Sequence, residues 1–424
     1  MPLSKKILFS FAVCTAIILL QILPALLGDN QFGPIPGDQP RPVSRLYAPQ
    51  SIRKPPWLEK RRRIQLDSAA YFSALNTFSF TDRIEESGIA FRNRITDDSG
   101  KRYLPVHYDH GCGLAAADID GDGLIDLYLV NQAGGNKLWR NLGKGRFVDK
   151  TTPELALEDR ICVSASFSDT DNDGDADLYV TSVRGGNVLF ENDGRGGFAD
   201  ISARTGIDYR GHSSAAVFFD YNRDGLLDLF LTNVGQYTTE ELLPVTTGNT
   251  ASGQPGRGTY FSGLKDAFAG HLKPERTELS ILYENKGNNR FVDVSEKVGL
   301  LDESWTGDAA PLDFNQDGWP DLYVLNMQGH DEYYENVEGK RFTRKSRQVF
   351  PKTPWGSMGI KAFDYDNDGD LDLFLTDMHS DMSENVGPCC ASAHSGLFAR
   401  ELATFTVRES EIRRDFSRIS SGKP

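Results

Sequence analysis

Short apolar segments of β-strand character alternate with polar turns along most of the chain. In the first clear unit the pattern predicts four strands, at Gly113–Ala117, Leu127–Asn131, Asn136–Asn141 and Arg146–Lys150. The turn between the first two strands is rich in Asp and Gly, and the same succession of turn and apolar segment recurs downstream. The pattern therefore predicts an all-β protein built from repeated four-stranded units.

The Asp-rich turn occurs five times, with first residues Asp118, Asp169, Asp220, Asp313 and Asp364. Each copy has Asp or Asn at positions 1, 3 and 5, Gly at position 6, Asp at position 9 and Leu at position 10. The copies start 51 residues apart, except for an interval of 93 residues between the third and the fourth. The longer interval indicates an insertion of 42 residues, which we place at 235–277. Its Thr, Gly and Pro content predicts a loop with one helical turn near Leu264–Ala269, and its removal is expected to spare the fold.

Three further landmarks fix where the insertion lies within its unit. An aromatic residue stands at position 22, Asn at position 24 and Phe at position 30, as in Trp139, Asn141 and Phe147 of the first unit. In the third unit the same landmarks, Tyr283 and Asn285 among them, come 42 residues late. The insertion therefore separates the second strand from the third. Units of this length with four strands each are typical of β-propeller blades, which bury their apolar faces against neighbouring blades.

The spacing of oxygen-bearing side chains in the turn fits a calcium site. Calcium takes six to eight oxygen ligands, which a short loop supplies through alternate side chains and a backbone carbonyl near position 7. An EF-hand would need Glu at position 12, where this chain has only Leu or Val. The sequence predicts about five structural calcium sites. The predicted ligands are Asp118, Asp120, Asp122, Leu124, Asp126, Asp169, Asp171, Asp173, Asp175, Asp177, Asp220, Asn222, Asp224, Leu226, Asp228, Asp313, Asn315, Asp317, Trp319, Asp321, Asp364, Asp366, Asp368, Asp370 and Asp372.

The loop Asp-x-Asp-x-Asp-Gly-x-x-Asp-Leu, placed between strands, resembles the FG-GAP or VCBS repeat of integrin alpha-chain propellers. The segments Thr376–Met382 and Leu325–Gly329 are similar to the branch that contains cartilage acidic protein and the bacterial UnbV/ASPIC proteins. The resemblance implies a calcium-binding β-propeller, a fold that usually has seven blades in this family. The sequence contains five recognisable calcium loops, so it is compatible with a closed ring of blades and with an incomplete one.

Composition adds little to this picture. The chain of 424 residues has a formal net charge of −14, but 20 of its 60 acidic residues lie in the five loops. The other 40 are fewer than the 46 Lys and Arg residues. Because bound calcium would neutralise most of the excess, the charge predicts neither a basic partner nor a nucleic-acid ligand.

The ends of the chain differ from the repeats. Residues 1–28 combine a short basic region with the apolar run 7–27, which predicts either a cleaved export signal or a membrane anchor. Residues 29–70 form a Pro-rich, basic linker, the propeller spans 71–382, and 383–424 form a divergent tail. Phe80–Asp82 repeats the outer-strand signature of the blades, which suggests that it completes the last blade.

The sequence lacks the common catalytic motifs, so we expect a binding protein and not an enzyme. The calcium loops all fall on one face of the disc, and the insertion and several His and Trp residues fall on the other. These residues are His110, His212, Trp305, His330, Trp355 and His379. They form either a recognition face for an extracellular protein or glycan, or packing at the hub of the propeller. The leading hypothesis is an exported, secreted, periplasmic or surface-anchored adhesion module; the alternative is an exported polysaccharide-acting enzyme with its site at this axial mouth.

Overall fold

The structure, a computed structural model, describes the chain in several segments. They are residue 63 and residues 81–96, 113–246, 258–264, 273–327, 329–354, 356–364, 371–377 and 403–408, the last segment for its backbone only. Contacts divide the chain into Met1–Arg45, which lies outside the described segments, and Leu46–Pro424. No helix in the described segments is long and apolar enough to cross a membrane.

Four sheets of four antiparallel strands and one sheet of three account for the repeats. Blade 1 consists of β1 (Leu114–Ala117), β2 (Asp126–Leu129), β3 (Lys137–Asn141) and β4 (Phe147–Asp149), and blade 2 consists of β5 (Ile161–Ser168), β6 (Asp177–Val183), β7 (Val188–Asn192) and β8 (Phe198–Asp200). Blade 3 consists of β9 (Ser213–Phe219), β10 (Asp228–Asn233), β13 (Ile281–Asn285) and β14 (Phe291–Asp293), and the inserted strands β11 (Thr238–Pro244) and β12 (Thr259–Gly263) come between β10 and β13. Blade 4 consists of β15 (Thr306–Leu312), β16 (Asp321–Asn326), β17 (Glu332–Val337) and β18 (Arg341–Arg344), and blade 5 consists of β19 (Ser357–Phe363), β20 (Asp372–Asp377) and β21 (Ala403–Arg408). The predicted four-stranded unit is therefore confirmed, with the insertion between the second and third strands of blade 3.

Successive blades pack face to face as in a β-propeller. The innermost strands β1, β5, β9, β15 and β19 contact one another in that order. The second strands of blades 2, 3 and 4 are buried on both faces: in β6, Leu178 packs toward blade 1, whereas the next residue, Tyr179, packs toward blade 3. This is why apolar residues follow one another in these strands and do not alternate with polar ones. On the open face of blade 1, Leu114 is 57% exposed, because no described blade covers it.

Helical turns join the outer strand of one blade to the next blade. They are α1 (Ile84–Ser87), α2 (Pro153–Ala156), α3 (Ser202–Thr205), α4 (Ser295–Val298) and α5 (Ser346–Val349). The turn α1 ends at Gly88, at φ 78°, as α3 ends at Gly206 at φ 84°. A Cβ on either glycine would lie 3.0 Å from the backbone oxygen of the outer strand it packs against, Phe147 or Phe291. The junction before blade 1 therefore repeats the later ones. Residues 81 and 82 of the predicted outer strand are not in a strand and Phe80 lies outside the described segments, so the completion of the last blade by this segment stays a prediction.

The tail contributes to blade 5. Strand β21, from the region assigned by sequence to a divergent tail, pairs antiparallel with β20, with Leu375 opposite Phe405. The chain between these two strands, residues 378–402, lies outside the described segments. Blade 5 thus takes its third strand from beyond the last recognisable repeat landmark.

The insertion is not a detached loop, contrary to the sequence-based expectation. Its strands β11 and β12 form an antiparallel hairpin, which buries Tyr237 and Tyr260 against blades 2, 3 and 4. The shared apolar cluster also contains Val183 of blade 2 and Trp305 of blade 4. The helical turn predicted near 264–269 lies almost wholly outside the described segments. The hairpin therefore packs over the ends of the strands on the face away from the Asp-rich loops.

Candidate calcium centres

Each of the first four Asp-rich loops, which the structure describes, wraps around the carboxylate of its first residue. In the third loop, Asp220 accepts hydrogen bonds from the backbone N–H groups of Asp224 (3.1 Å) and Gly225 (2.9 Å), and Asp224 accepts one from Leu226 (2.9 Å). The first, second and fourth loops repeat these bonds. Gly225 has φ 87°, a value that favours glycine, and this confirms the reason for the glycine at position 6.

The aspartate at position 9 ties the loop to the third strand of its own blade. Asp126 is buried, and it accepts hydrogen bonds from Ile119 N at 3.1 Å and from Asn141 N at 2.6 Å. Asp177, Asp228 and Asp321 make the equivalent pairs of bonds. A carboxylate oxygen has a second lone pair, so these residues can brace the loop and still bind a cation.

Two loops bring carboxylate oxygens together closely enough to hold one ion. One ligand atom from each of Asp118, Asp120 and Asp126 lies within 4.8 Å of the others, and Asp169, Asp171 and Asp173 form a similar group. Oδ1 of Asp120 and Oδ1 of Asp171 are buried without a hydrogen-bond partner. Buried acceptors without donors are costly unless a cation meets them. The donor set, all hard oxygen, therefore fits calcium.

The pKa values of aspartates in the loops also favour a bound cation. Burial, followed by repulsion from neighbouring aspartates, raises the pKa of Asp175 to about 6. Burial is also the main cause that raises the pKa of Asp228 to about 7 and that of Asp321 to about 6. These carboxylates are thus expensive to ionise in the metal-free loops, and a bound cation would reverse that cost.

The loops of neighbouring blades are connected by hydrogen bonds. The landmark asparagine at position 24 is the main link: Asn285 Nδ2 donates to Leu227 O of its own loop (3.0 Å) and to Thr170 O of the preceding loop (2.8 Å). Asn192 and Asn336 make the same pair of bonds. The second and third loops also touch directly, since Asn172 Nδ2 donates to Gly225 O at 2.7 Å. Order in one loop is therefore transmitted to the next blade.

Asn285→Ala should lower the free energy of unfolding by about 1–3 kcal/mol, because the buried carbonyl of Thr170 and the partly buried carbonyl of Leu227 lose their donor. The matched control is Asn141→Ala. Both side chains accept from the glycine two residues on, but Asn141 Nδ2 donates only to Ile125 O among the described contacts. Urea unfolding in saturating calcium measures both losses. Equal losses would mean that the link between blades contributes nothing.

The face opposite the loops differs from the predicted recognition face. His212 and Trp305 are buried. His212 Nδ1 lies 2.8 Å from Glu278 Oε1 and its Nε2 lies 2.8 Å from Thr238 Oγ1, to which Arg184 Nε also donates at 2.9 Å. Burial would raise the pKa of Glu278, but its hydrogen bonds and charge interaction with His212 hold that pKa below its usual value. His212 and Trp305 therefore anchor the insertion, as in the alternative of packing at the hub, and do not form an exposed surface.

The structure describes only some of the other residues predicted for the recognition face. His330 is half-buried, and its Nδ1 lies 2.9 Å from Thr353 Oγ1. His110, Trp355 and His379 lie outside the described segments, as do Asp366, Asp368 and Asp370 of the fifth loop.

Sequence reasoning missed several residues beside the loops. Arg140 contacts the first loop, and Asn289, from the outer hairpin of blade 3, donates from Nδ2 to Asp171 at 3.0 Å and to Glu191 at 3.3 Å. Arg140 and Glu191 occupy position 23, immediately before the landmark asparagine, so the repeat alignment could have drawn attention to them.

Comparison with known proteins identifies the repeats. The model of the FG-GAP-like repeat family matches residues 118–180, 169–231 and 313–375, each of which runs from one Asp-rich loop to the next position-12 residue. The chain carries FG-GAP-like repeats. The interval from the third loop to the fourth, which the insertion lengthens, is the one that the family match leaves out.

Curated relatives match the chain over a long alignment. Cartilage acidic protein 1 of Xenopus tropicalis is 25% identical over 326 residues, and that of Mus musculus is 24% identical over 326 residues. Each alignment covers 65% of this chain and 50% of the relative, so the chain spans about half the length of the curated relatives it matches. A solved structure of a lectin from Agrocybe aegerita, described as recognising non-reducing terminal N-acetylglucosamine, has a TM-score of 0.30 and 16% identity over 65% of this chain and 79% of that one.

Proposed function

We propose that this chain is an exported protein whose FG-GAP-like repeats bind calcium, and that the calcium-stabilised propeller acts as an extracellular interaction module. The observation that carries the calcium proposal is the pair of buried, unpartnered oxygens on Asp120 and Asp171, each inside a group of carboxylates that could share one ion. Burying such oxygens without a counter-charge is unfavourable, and calcium is the hard cation whose ligand number suits these loops.

The proposed role of the ion is structural. The residues that would hold it are the side chains at positions 1, 3, 5 and 9 and the carbonyl at position 7, and calcium would supply positive charge to carboxylates that otherwise repel. Because Asp228 bonds to the third strand and Asn285 bonds to the preceding loop, an ordered loop stabilises two blades together. All the predicted oxygen ligands serve this structural role. The proposed binding function therefore belongs to the rest of the surface.

The proposed location and partner follow from other parts of the chain. Residues 1–28 would direct export, which brings the loops into a compartment where calcium is abundant. The partner would be an extracellular protein or glycan bound on the face that carries the insertion. Leu242, 55% exposed on the hairpin, and the half-buried His330 belong to that face.

Calorimetry on two variants of the third loop tests the calcium proposal. Asp224→Ala removes a charged ligand at position 5, whereas Leu226→Ala keeps the backbone carbonyl at position 7, so we expect the first variant to lose one calcium equivalent and the second to lose none. Full retention of calcium by Asp224→Ala would contradict the proposal. Equal loss by both variants would show that the ligands lie at other positions of the loop.

A further inference from the structure

Position 23 of the repeat is the place where the calcium loops differ in charge. It lies on the third strand, and in blades 1 and 3 its side chain contacts the side chain at position 3 of the same loop. Its occupants are Arg140 in blade 1, Glu191 in blade 2, Glu284 in blade 3 and Glu335 in blade 4. Position 23 therefore has a basic residue beside the first loop and an acidic residue beside the next three.

In blade 1 the guanidinium of Arg140 lies inside the carboxylate cluster. Its Nε is 2.5 Å from Asp120 Oδ2 and its Nη2 is 3.3 Å from Asp122 Oδ2. The Nε contact is a charge pair without the alignment of a hydrogen bond, and Asp120 Oδ1 still lacks a partner. Arg140 thus neutralises two predicted calcium ligands but leaves Oδ1 of Asp120 without a hydrogen-bond partner.

In blade 2 the glutamate at this position is linked to the position-3 side chain through Asn289, and in blade 3 it contacts that side chain directly. Asn289 Nδ2 donates to both Asp171 and Glu191, and the charge of Glu191 contributes to the raised pKa of Asp171, after burial and the neighbouring aspartates. Glu284 accepts from Asn222 Nδ2 at 3.4 Å. These glutamates place negative charge where Arg140 places positive charge, and each also pairs with basic side chains, Glu191 with Arg204 and Glu284 with Lys286 and Lys297.

We propose that Arg140 is a built-in counter-ion of the first loop, and that the residue at position 23 makes this loop bind calcium more weakly than the second. The inference rests on the proposed calcium function. An incoming divalent ion would meet a fixed positive charge in the first loop, which has four aspartates, but not in the second, which has five aspartates and Glu191. Calcium should therefore fill the second loop before the first, and the first loop should keep part of its order when calcium is scarce.

Calcium titration calorimetry of the full chain and of charge variants tests this inference. Arg140→Gln should strengthen one binding step on the order of tenfold, the size of effect expected for one unit charge a few ångströms from a divalent ion in a solvated site. The same substitution in an Asp122→Ala background should change nothing, because the first loop is already disabled there. Arg146→Gln, at an exposed arginine on the same blade, is the control for the loss of a positive charge.

Glu191→Arg provides the reciprocal test and does not depend on the folding of the first-loop variant. It should weaken one binding step on the order of tenfold or more. Unchanged affinities in both Arg140→Gln and Glu191→Arg would overturn the role of position 23 while the loops still bind calcium. Absence of calcium binding by the unsubstituted chain would instead overturn the proposed function itself. A melt in chelator gives an independent readout, since Arg140→Gln should lower the melting temperature there and not in saturating calcium.

Discussion

Chelation of calcium is expected to lower the melting temperature of this protein by about 10 °C or more. An ion present at 100 times its dissociation constant stabilises the folded state by about 2.7 kcal/mol per site, provided that the unfolded chain does not bind it. Several occupied loops would thus contribute an amount comparable to the whole stability of an ordinary domain. Melting curves followed by circular dichroism, in saturating calcium and in excess EGTA, measure the difference.

The physical reason lies in the contacts of the loops. Without calcium, neighbouring aspartates such as Asp169, Asp171 and Asp173 remain close together and repel one another. Magnesium is the matched control, because its smaller size and octahedral preference fit these loops poorly and it should restore little of the lost stability. An unchanged melt in EGTA, with the absence of bound metal confirmed by elemental analysis, would contradict the structural role of calcium.

Tyr260→Ala is expected to destabilise the protein by about 3 kcal/mol or more, the usual cost of emptying a buried aromatic site. Tyr260 is 5% exposed and lies with Tyr237 and Trp305 in the apolar cluster that joins the insertion to blades 2, 3 and 4. The matched control on the same hairpin is Leu242→Ala, which should change the free energy of unfolding by less than about 0.5 kcal/mol because Leu242 is 55% exposed. Urea unfolding in saturating calcium measures both.

The same contacts change what deletion of the insertion should do. Replacing Tyr237–Pro274 would remove Tyr237 and Tyr260 and break the contacts of Thr238 with His212 and Arg184, so that deletion should destabilise the propeller. A comparable loss of stability in Leu242→Ala and Tyr260→Ala would show that the hairpin does not depend on this cluster.

Much of the fold could be predicted from local patterns. The four-stranded unit, the position of the insertion and the loop wrapped around Asp220 all follow from residues that act over short distances. Gly225 is needed for the backbone turn, and Asp220 and Asp224 accept from N–H groups within five residues along the chain. Such features are repeated each time the same short sequence is repeated.

Contacts between blades could not be predicted in the same way. Asn285 was visible as a landmark, but nothing in its spacing shows that it bonds to Thr170, which lies 115 residues away. The environment of His212 was also hidden, because its partner Thr238 lies near the start of an insertion without repeat landmarks and its partner Glu278 lies just after the end of that insertion. The third strand of blade 5, β21, is likewise supplied by chain with no repeat signature.

The repeat, the blade and the candidate calcium ligands could be read from the amino-acid sequence, because each depends on residues within one short loop and the strands beside it. The charge beside each loop, the asparagines that join two blades and the buried side of the insertion became known from the fold. Arg140 illustrates the difference: 18 residues separate it from Asp122, and only the pairing of β3 with β2 brings its guanidinium to that carboxylate. Electrostatic and packing energies depend on distance in space, and the fold sets that distance.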